Sequence, residues 1–417
     1  MNPTPNDKLS THRTATADVA IAAGHDHLDH CPMMPTFGAP TVTFVRGRGT
    51  EVWDSTGKRY LDFLCGLAVT SLGHANVEVA TAIAEQANTL VHVSNLFATV
   101  PGPQVALTID RLLGGGGQVF FANSGAEANE CAIKVARKWG GRGRHHIIST
   151  FGSFHGRTLA TLHMTGQPAK HEAFQPLPEG FRHATWADVG DIERMIDPST
   201  VAVMIEPVQG EGGVIPAPAG YFADVRRLCN ERGLLFMVDE IQTGFGRTGK
   251  WFGFEHFLGP EARPDVVTLA KALGNGMPIG ACWATREVSS AFKPGDHGST
   301  YSGQPLAASA AKKVLEIMER DGIPARAAAM GERLRAALVA LPGVVEVRGL
   351  GMLLAVELGE PIAGELHSAL MESGLVANAV TASAIRIAPP LTLSDEHLDE
   401  GVTIFANCLA DVRGGIA

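Results

Sequence analysis

The chain has 417 residues, of which 45% are hydrophobic and 18% charged, against about 25% charged in an ordinary soluble protein. Such a length predicts two domains, and so little charge predicts surface hidden against a second copy of the chain. The formal net charge of -9 excludes nucleic acid and anionic membrane as partners and favours small metabolites.

Residues 1–23 are polar or small and without periodicity, which predicts a disordered tail. The tract His25-Asp26-His27-Leu28-Asp29-His30-Cys31 suggests a metal, but no second ligand cluster follows at finger-like spacing. A solvated helix start and no metal are expected. Neither an apolar leader core nor a run of about 18 apolar residues is present, so a soluble, cytoplasmic protein is expected. The six cysteines lack CxxC spacing and read as reduced core residues.

From Thr41 to Phe63, alternating stretches broken by glycines predict a small antiparallel meander. An amphipathic helix over Val77 to Leu90 and a polar loop over His92 to Ala98 follow. Strand, turn and helix then alternate, with strands at Gln118 to Ala122, His146 to Phe151, Val201 to Glu206, Leu234 to Val238, Val266 to Ala270 and Gly280 to Thr285. This is an α/β pattern: a mostly parallel sheet covered by helices on both faces. Beyond Pro305 come helices at Ala307 to Asp321 and Pro324 to Leu341, strands at Met352 to Leu358 and Ala384 to Ile387, and a last helix from Asp395 to about Asp411. These predict a smaller α+β lobe.

The chemistry concentrates at strand ends. The run Leu234 to Val238 breaks into Asp239-Glu240-Ile241-Gln242, and Val266 to Ala270 ends on Lys271. Buried parallel strands carry site residues at their carboxyl ends. A lysine for an aldehyde and an anion for a ring nitrogen are what pyridoxal phosphate requires. An isolated Asp and Lys more often form a structural ion pair, but the surrounding motifs favour the cofactor. After the strand ending at Ala122, Ser124 and Glu127 have capping-box spacing, while Gly125 opens the helix start to a phosphate. Phe154 could stack on a ring and Arg157 could clamp a carboxylate. Glu206 to Gly213 reads as a glycine-rich acidic loop. Gly244 to Lys250 fits G-x-x-x-x-G-K, but Trp251 follows where a P-loop needs Ser or Thr. The glycine run 114–117 precedes its strand, so no dinucleotide fingerprint is present.

In this order, the blocks Phe121 to Glu130, Phe154 to Leu159, Gly166 to Pro168, Glu206 to Val214, Val238 to Gly249, Pro264 to Cys282, His297 to Leu306, Val347 to Leu358 and Ile385 to Leu391 carry a resemblance from about Pro35 to Glu400. The chain resembles the class III, or subgroup II, pyridoxal-phosphate aminotransferases, and within them the acetylornithine aminotransferases of arginine biosynthesis. The resemblance implies a fold-type I subunit acting as a homodimer. Residues 76–305 would form a large cofactor domain, with 24–75 and 306–417 forming a small one. Lys271 would bind the cofactor and shuttle the proton, and Asp239 would pair with the ring nitrogen. Ser124, Gly125, Ala126, Phe154, Glu240, Ile241 and Gln242 would complete the cofactor site, with Thr300 supplied by the partner subunit. Arg157, assisted by Ser299 across the interface, would take a distal carboxylate. Arg386 would take the α-carboxylate of 2-oxoglutarate and release Glu211 to do so. The reaction implied is ping-pong transfer from N2-acetylornithine to 2-oxoglutarate. The alternative donors are ornithine, 4-aminobutyrate, succinyl-diaminopimelate or a secondary-metabolite precursor. The chain departs from the family's Gly-Gly-Asn-Pro at Ser302-Gly303-Gln304-Pro305. A non-catalytic binding module and a P-loop NTPase are the readings from other classes.

Overall fold

The structure, a computed structural model, describes residues 33–38 and 40–415. The expected tail 1–23 and the His25–Cys31 tract lie outside the described residues. Seven strands form the central sheet, in the order Gly117–Ala122, Gly280–Thr285, Val266–Leu269, Leu235–Asp239, Thr200–Ile205, His146–Thr150 and Phe181–Ala184. Gly280–Thr285 runs antiparallel to both neighbours, and the other pairings are parallel. Thr200–Ile205 and Leu235–Asp239 are buried at every position, because both faces of a sheet interior are covered. Phe236 and Val238 enter one core, while Leu235 and Met237 enter the core on the opposite face, as alternation along a strand dictates.

Helix Gly125–Gly140 follows the first strand directly. Ser124 caps it by accepting from the Glu127 amide at 3.2 Å, and Ala128, Cys131, Ala132 and Val135 form its buried stripe. Glu127 reaches back to the Asn123 amide at 2.8 Å, one residue beyond the usual capping-box target.

Described segments from before and after the central sheet pack together. Strands Phe44–Arg48, Glu51–Asp54 and Arg59–Asp62 form the predicted meander, and Leu375–Val376 adds to it in parallel with Arg59–Asp62. Arg59 also grips Glu400 through two bonds of 2.6 and 3.0 Å. Strands Val344–Leu350, Leu353–Leu358, Ala384–Ile387 and Asn378–Ala379 make another sheet. Helix Pro305–Arg320 packs on helices Val77–Thr89 and Pro101–Leu112. Its N-cap is Gln304, whose side-chain oxygen accepts from the Leu306 amide at 2.9 Å, so the longer amide at this family departure serves as a cap.

The P-loop-like segment Gly244 to Lys250 has a structural job. Its fully buried Arg247 donates to the Met352 carbonyl at 3.1 Å, the Pro389 carbonyl at 2.5 Å and the Ser71 hydroxyl at 3.1 Å. One guanidinium thereby ties the central loop to segments from both chain ends.

Candidate active site

The carboxyl ends of the central strands surround a cavity of about 390 Å³. Ser124, Gly125, Ala126, Phe154, Arg157, Glu211, Asp239, Ile241, Gln242 and Lys271 all line it. Asp239 is only 4% exposed. Its Oδ2 accepts from Asn129 Nδ2 at 2.9 Å and faces His155 Nδ1 at 2.8 Å, while Oδ1 accepts from the Ile241 amide at 3.0 Å. Asn129 also donates to the His155 carbonyl at 2.7 Å, so helix Gly125–Gly140 and the loop after His146–Thr150 jointly aim the carboxylate.

Lys271 stands just beyond Val266–Leu269, whose Thr268 is in register with Asp239. Its φ of +40° lies in the left-handed region, a strained placement for a side-chain-bearing residue, costing about 1–3 kcal/mol. Loss of solvent lowers the ammonium pKa to about 8, against the upward pull of Glu211. The amine is thereby brought toward its nucleophilic neutral form.

Acidic groups divide by environment. Glu206, 7% exposed, accepts from the Phe154 amide at 3.1 Å. Burial, reinforced by the nearby Asp239, pushes its carboxyl well above the ordinary range. Burial also pushes Glu211 upward, but Arg386 outweighs it and the carboxyl is held low. Arg386, 1% exposed, donates to Glu211 Oε1 at 2.5 Å, to the Gly210 carbonyl at 3.4 Å and to Asn378 Oδ1 at 3.1 Å. Arg157 is exposed at the rim, its guanidinium carbon 5.5 Å from the Phe154 ring centre.

One expectation differs from the placement found, and two concern the partner's site. Glu240 turns away from the cavity: its carboxylate accepts from Thr243 Oγ1 at 2.5 Å, the Gly253 amide at 2.9 Å and the Phe254 amide at 2.8 Å. Successive residues of an extended segment point to opposite sides, so Asp239 and Glu240 cannot both face one site. Burial pushes the Glu240 carboxyl up to about 7. Ser299 accepts from Asn123 Nδ2 at 3.0 Å, and Thr300 is exposed; neither lines the cavity of its own chain. Conversely, Asn129, His155 and Glu206 belong to the site although sequence reasoning assigned them no role. A signal existed for Asn129, a polar residue four positions after Gly125 on the buried helix stripe.

The cavity fits a flat ring bearing a phosphate. Gln242 Oε1 is buried without a partner, and a Cβ at Gly210 would come within 1.7 Å of it. A Cβ at Gly125 would meet Ile241 at 2.8 Å. As first residues of a helix, Gly125 and Ala126 have amides with no acceptor inside it, which suits an anion.

A lysine and an aspartate on adjacent parallel strands, beside a helix start open to phosphate, define a pyridoxal-phosphate enzyme on a mostly parallel sheet. Residues 35–409 match the family model described as aminotransferase class-III, and the chain belongs to that family, which moves an amino group from a donor to an oxo acid with pyridoxal phosphate as cofactor. It is 43% identical over 405 residues to the acetylornithine aminotransferase of Corynebacterium efficiens, covering 94% of this chain and 99% of the relative. With that of Gloeobacter violaceus it shares 46% over 389 residues, covering 91% and 96%. Among solved structures, the ornithine aminotransferase of Toxoplasma gondii superposes with a TM-score of 0.88 at 29% identity, covering 99% of each chain. An (S)-enantioselective omega-transaminase from Thermomicrobium roseum gives 0.85 at 33%, covering 95% and 98%.

Proposed function

We propose that this aminotransferase moves the terminal amino group of N2-acetylornithine to 2-oxoglutarate, giving N-acetylglutamate 5-semialdehyde and glutamate. The observation that carries the reading is the Glu211–Arg386 pair at the cavity edge, together with the acetylornithine activity of relatives over nearly the whole chain. Bound pyridoxal phosphate supplies an aldehyde for the amine and a ring that accepts electrons. The Gly125 and Ala126 amides and the Ser124 side chain would hold its phosphate, with Thr300 of the partner subunit. Asp239, oriented by Asn129 and His155, would pair with the ring nitrogen. Phe154 and Ile241 would enclose the ring, and Gln242 would meet its phenolic oxygen.

Lys271 Nζ removes and returns the proton at the carbon bearing the transferred amine, as general base and then acid. Its low pKa keeps enough neutral amine for that work near neutral pH. Arg157, assisted by the partner subunit's Ser299, binds the carboxylate distant from the reacting amine. Arg386 binds the α-carboxylate of 2-oxoglutarate. With the amino donor bound, Glu211 neutralises Arg386, so no bare guanidinium faces the donor's tail. One cavity thus serves two substrates of different charge.

The same reading makes the protein a cytoplasmic homodimer, with residues 24–75 and 306–417 as its small domain and 76–305 as its large one. Exposed Leu96, Phe97, Val100, Leu107 and Tyr301 supply apolar surface for the second copy. The test is a single-turnover comparison of N-acetylornithine, ornithine and 4-aminobutyrate on the cofactor-loaded protein, followed by 2-oxoglutarate. N-acetylornithine should react fastest. Another amine winning tenfold, about 1.4 kcal/mol in the transition state, would overturn the donor assignment.

A further inference from the structure

The loop that carries Glu211 is the turn of a short hairpin. Val208–Gln209 pairs antiparallel with Ile215–Pro216, and the Val214 amide donates to the Gly210 carbonyl at 3.3 Å across the turn. Val214 has a φ of +54°, a left-handed conformation that a β-branched residue keeps only where its surroundings enforce it. The base of the hairpin is fastened to the central sheet: buried Gln209 donates from Nε2 to the Thr150 hydroxyl and to the Phe151 carbonyl, each at 3.0 Å. The tip is held from another direction, by two guanidinium groups.

Arg348, Ala355 and Arg386 are register partners across strands Val344–Leu350, Leu353–Leu358 and Ala384–Ile387. Residues opposite one another in a sheet project from the same face, so the two arginines stand in one row, roughly two strand spacings or 10 Å apart, with only an alanine methyl between them. Val208 and Val214 pack in one apolar cluster with Leu353, Ala355 and Ala388, which lays the hairpin over that row. Arg386 holds one side of the tip through the Glu211 carboxylate and the Gly210 carbonyl. Arg348 holds the other, its Nε donating to the Gly213 carbonyl at 2.8 Å. Its Nη1 donates to Glu357 Oε2 at 2.7 Å, and Glu357 Oε1 accepts from the Ser383 hydroxyl. Arg348, Glu357 and Ser383 all stand outside the cavity lining. The grip on Gly213 can therefore persist while Arg386 changes partner.

We propose that Arg348 is a positioning residue for the Glu211–Arg386 exchange, a role that rests on the switching reading given above. Arg348 pins the hairpin tip to the sheet, so that Glu211 leaves and regains Arg386 by turning its side chain while its backbone stays in place. Gly213 is two residues from Glu211, and fixing its carbonyl keeps the Glu211 backbone within reach of Arg386. Without Arg348 the strained turn at Val214 is free to relax, and Glu211 meets Arg386 for a smaller fraction of the time. A bare guanidinium then faces the donor's tail more often. The oxo acid, which binds Arg386 directly, is little affected.

The experiment measures the two half-reactions of the cofactor-loaded enzyme by stopped-flow absorbance in the unaltered chain, Arg348→Met, Arg348→Lys, Glu211→Gln and the double variant Arg348→Met with Glu211→Gln. In Arg348→Met the N-acetylornithine half should slow about 5- to 20-fold, and the 2-oxoglutarate half by no more than a few-fold. Arg348→Lys keeps a charged donor but lacks the fork that reaches Gly213 and Glu357 together, so it should recover part of the loss. In the Glu211→Gln background Arg348→Met should add nothing to the asymmetry, because the anchor acts through Glu211. Equal slowing of both halves in Arg348→Met, or a further asymmetric loss in the double variant, would overturn the anchor and leave the exchange standing. Symmetric behaviour of Glu211→Gln would overturn the exchange and the anchor with it. Should Arg348→Met not fold, Arg348→Lys decides: slowing confined to the donor half supports the anchor, and equal slowing or none overturns it.

Discussion

The sharpest consequence of the site's electrostatics concerns Glu211→Gln. Arg386 is 1% exposed, and its partner Glu211 is 33% exposed at the cavity edge. Glutamine keeps an acceptor oxygen but removes the charge, leaving the Gly210 carbonyl and Asn378 to hold a buried guanidinium. A hydrogen bond to a charged group contributes about 1.5–3 kcal/mol, and each 1.36 kcal/mol is tenfold in rate. The half-reaction with N-acetylornithine, which needs Arg386 neutralised, should slow roughly 10- to 100-fold. The half-reaction with 2-oxoglutarate needs Arg386 free and should change by no more than a few-fold. Stopped-flow absorbance of the bound cofactor measures the two halves separately. Equal losses in both halves, or a loss confined to 2-oxoglutarate, would refute the switching role and reduce the pair to a structural bridge. Because Arg386 holds the Glu211 carboxyl below its ordinary value, the unaltered protein should keep this discrimination across neutral pH and lose it only in acid, as pH falls through the lowered pKa.

Lys271, with its pKa lowered to about 8, gives a second pH test, in a higher window. The neutral fraction rises tenfold per unit below pH 8 and levels off above, so cofactor capture by the apoprotein should climb from pH 6 to 8 and then plateau. A flat reconstitution profile would contradict the lowered pKa. Asn129→Ala removes one of the two side chains facing Asp239 Oδ2; it should cost about 1–3 kcal/mol of apoprotein stability and weaken cofactor retention, read by thermal unfolding and dialysis. Burial, reinforced by Asp239, pushes the Glu206 carboxyl well above its normal range and so favours its uncharged form; Glu206→Gln, which is also uncharged, should leave turnover within a few-fold. A loss of a hundredfold or more would mean that its proton is used.

What could be read from the sequence follows from which interactions are local. Asp239 and Lys271 stand out because buried parallel strands are unbroken apolar runs, so a polar residue at the carboxyl end is conspicuous. The same periodicity carries no direction, and nothing in Gly280–Thr285 announces that it runs against its neighbours. Phe181–Ala184 escaped notice because it has only four residues, with Arg182 and His183 in its middle. Val344–Leu350 did so because Val345 and Glu346 are exposed. The residues that aim Asp239 were harder still. Asn129 lies 110 positions away and His155 lies 84, and only the packing of a helix and a loop over the sheet brings them together. Glu240 misled for the converse reason: adjacency to Asp239 suggested a shared site, while the alternation of an extended backbone sends the two carboxylates to opposite sides. Ser299 and Thr300 mark the outer limit of this reasoning. Within one chain they stand outside the cavity, so any role there requires the site to be completed by two chains, as the homodimer reading holds. Loss of activity on dilution to monomer, with Lys271 and Asp239 intact, is therefore the outcome that a shared site demands and a self-contained one forbids.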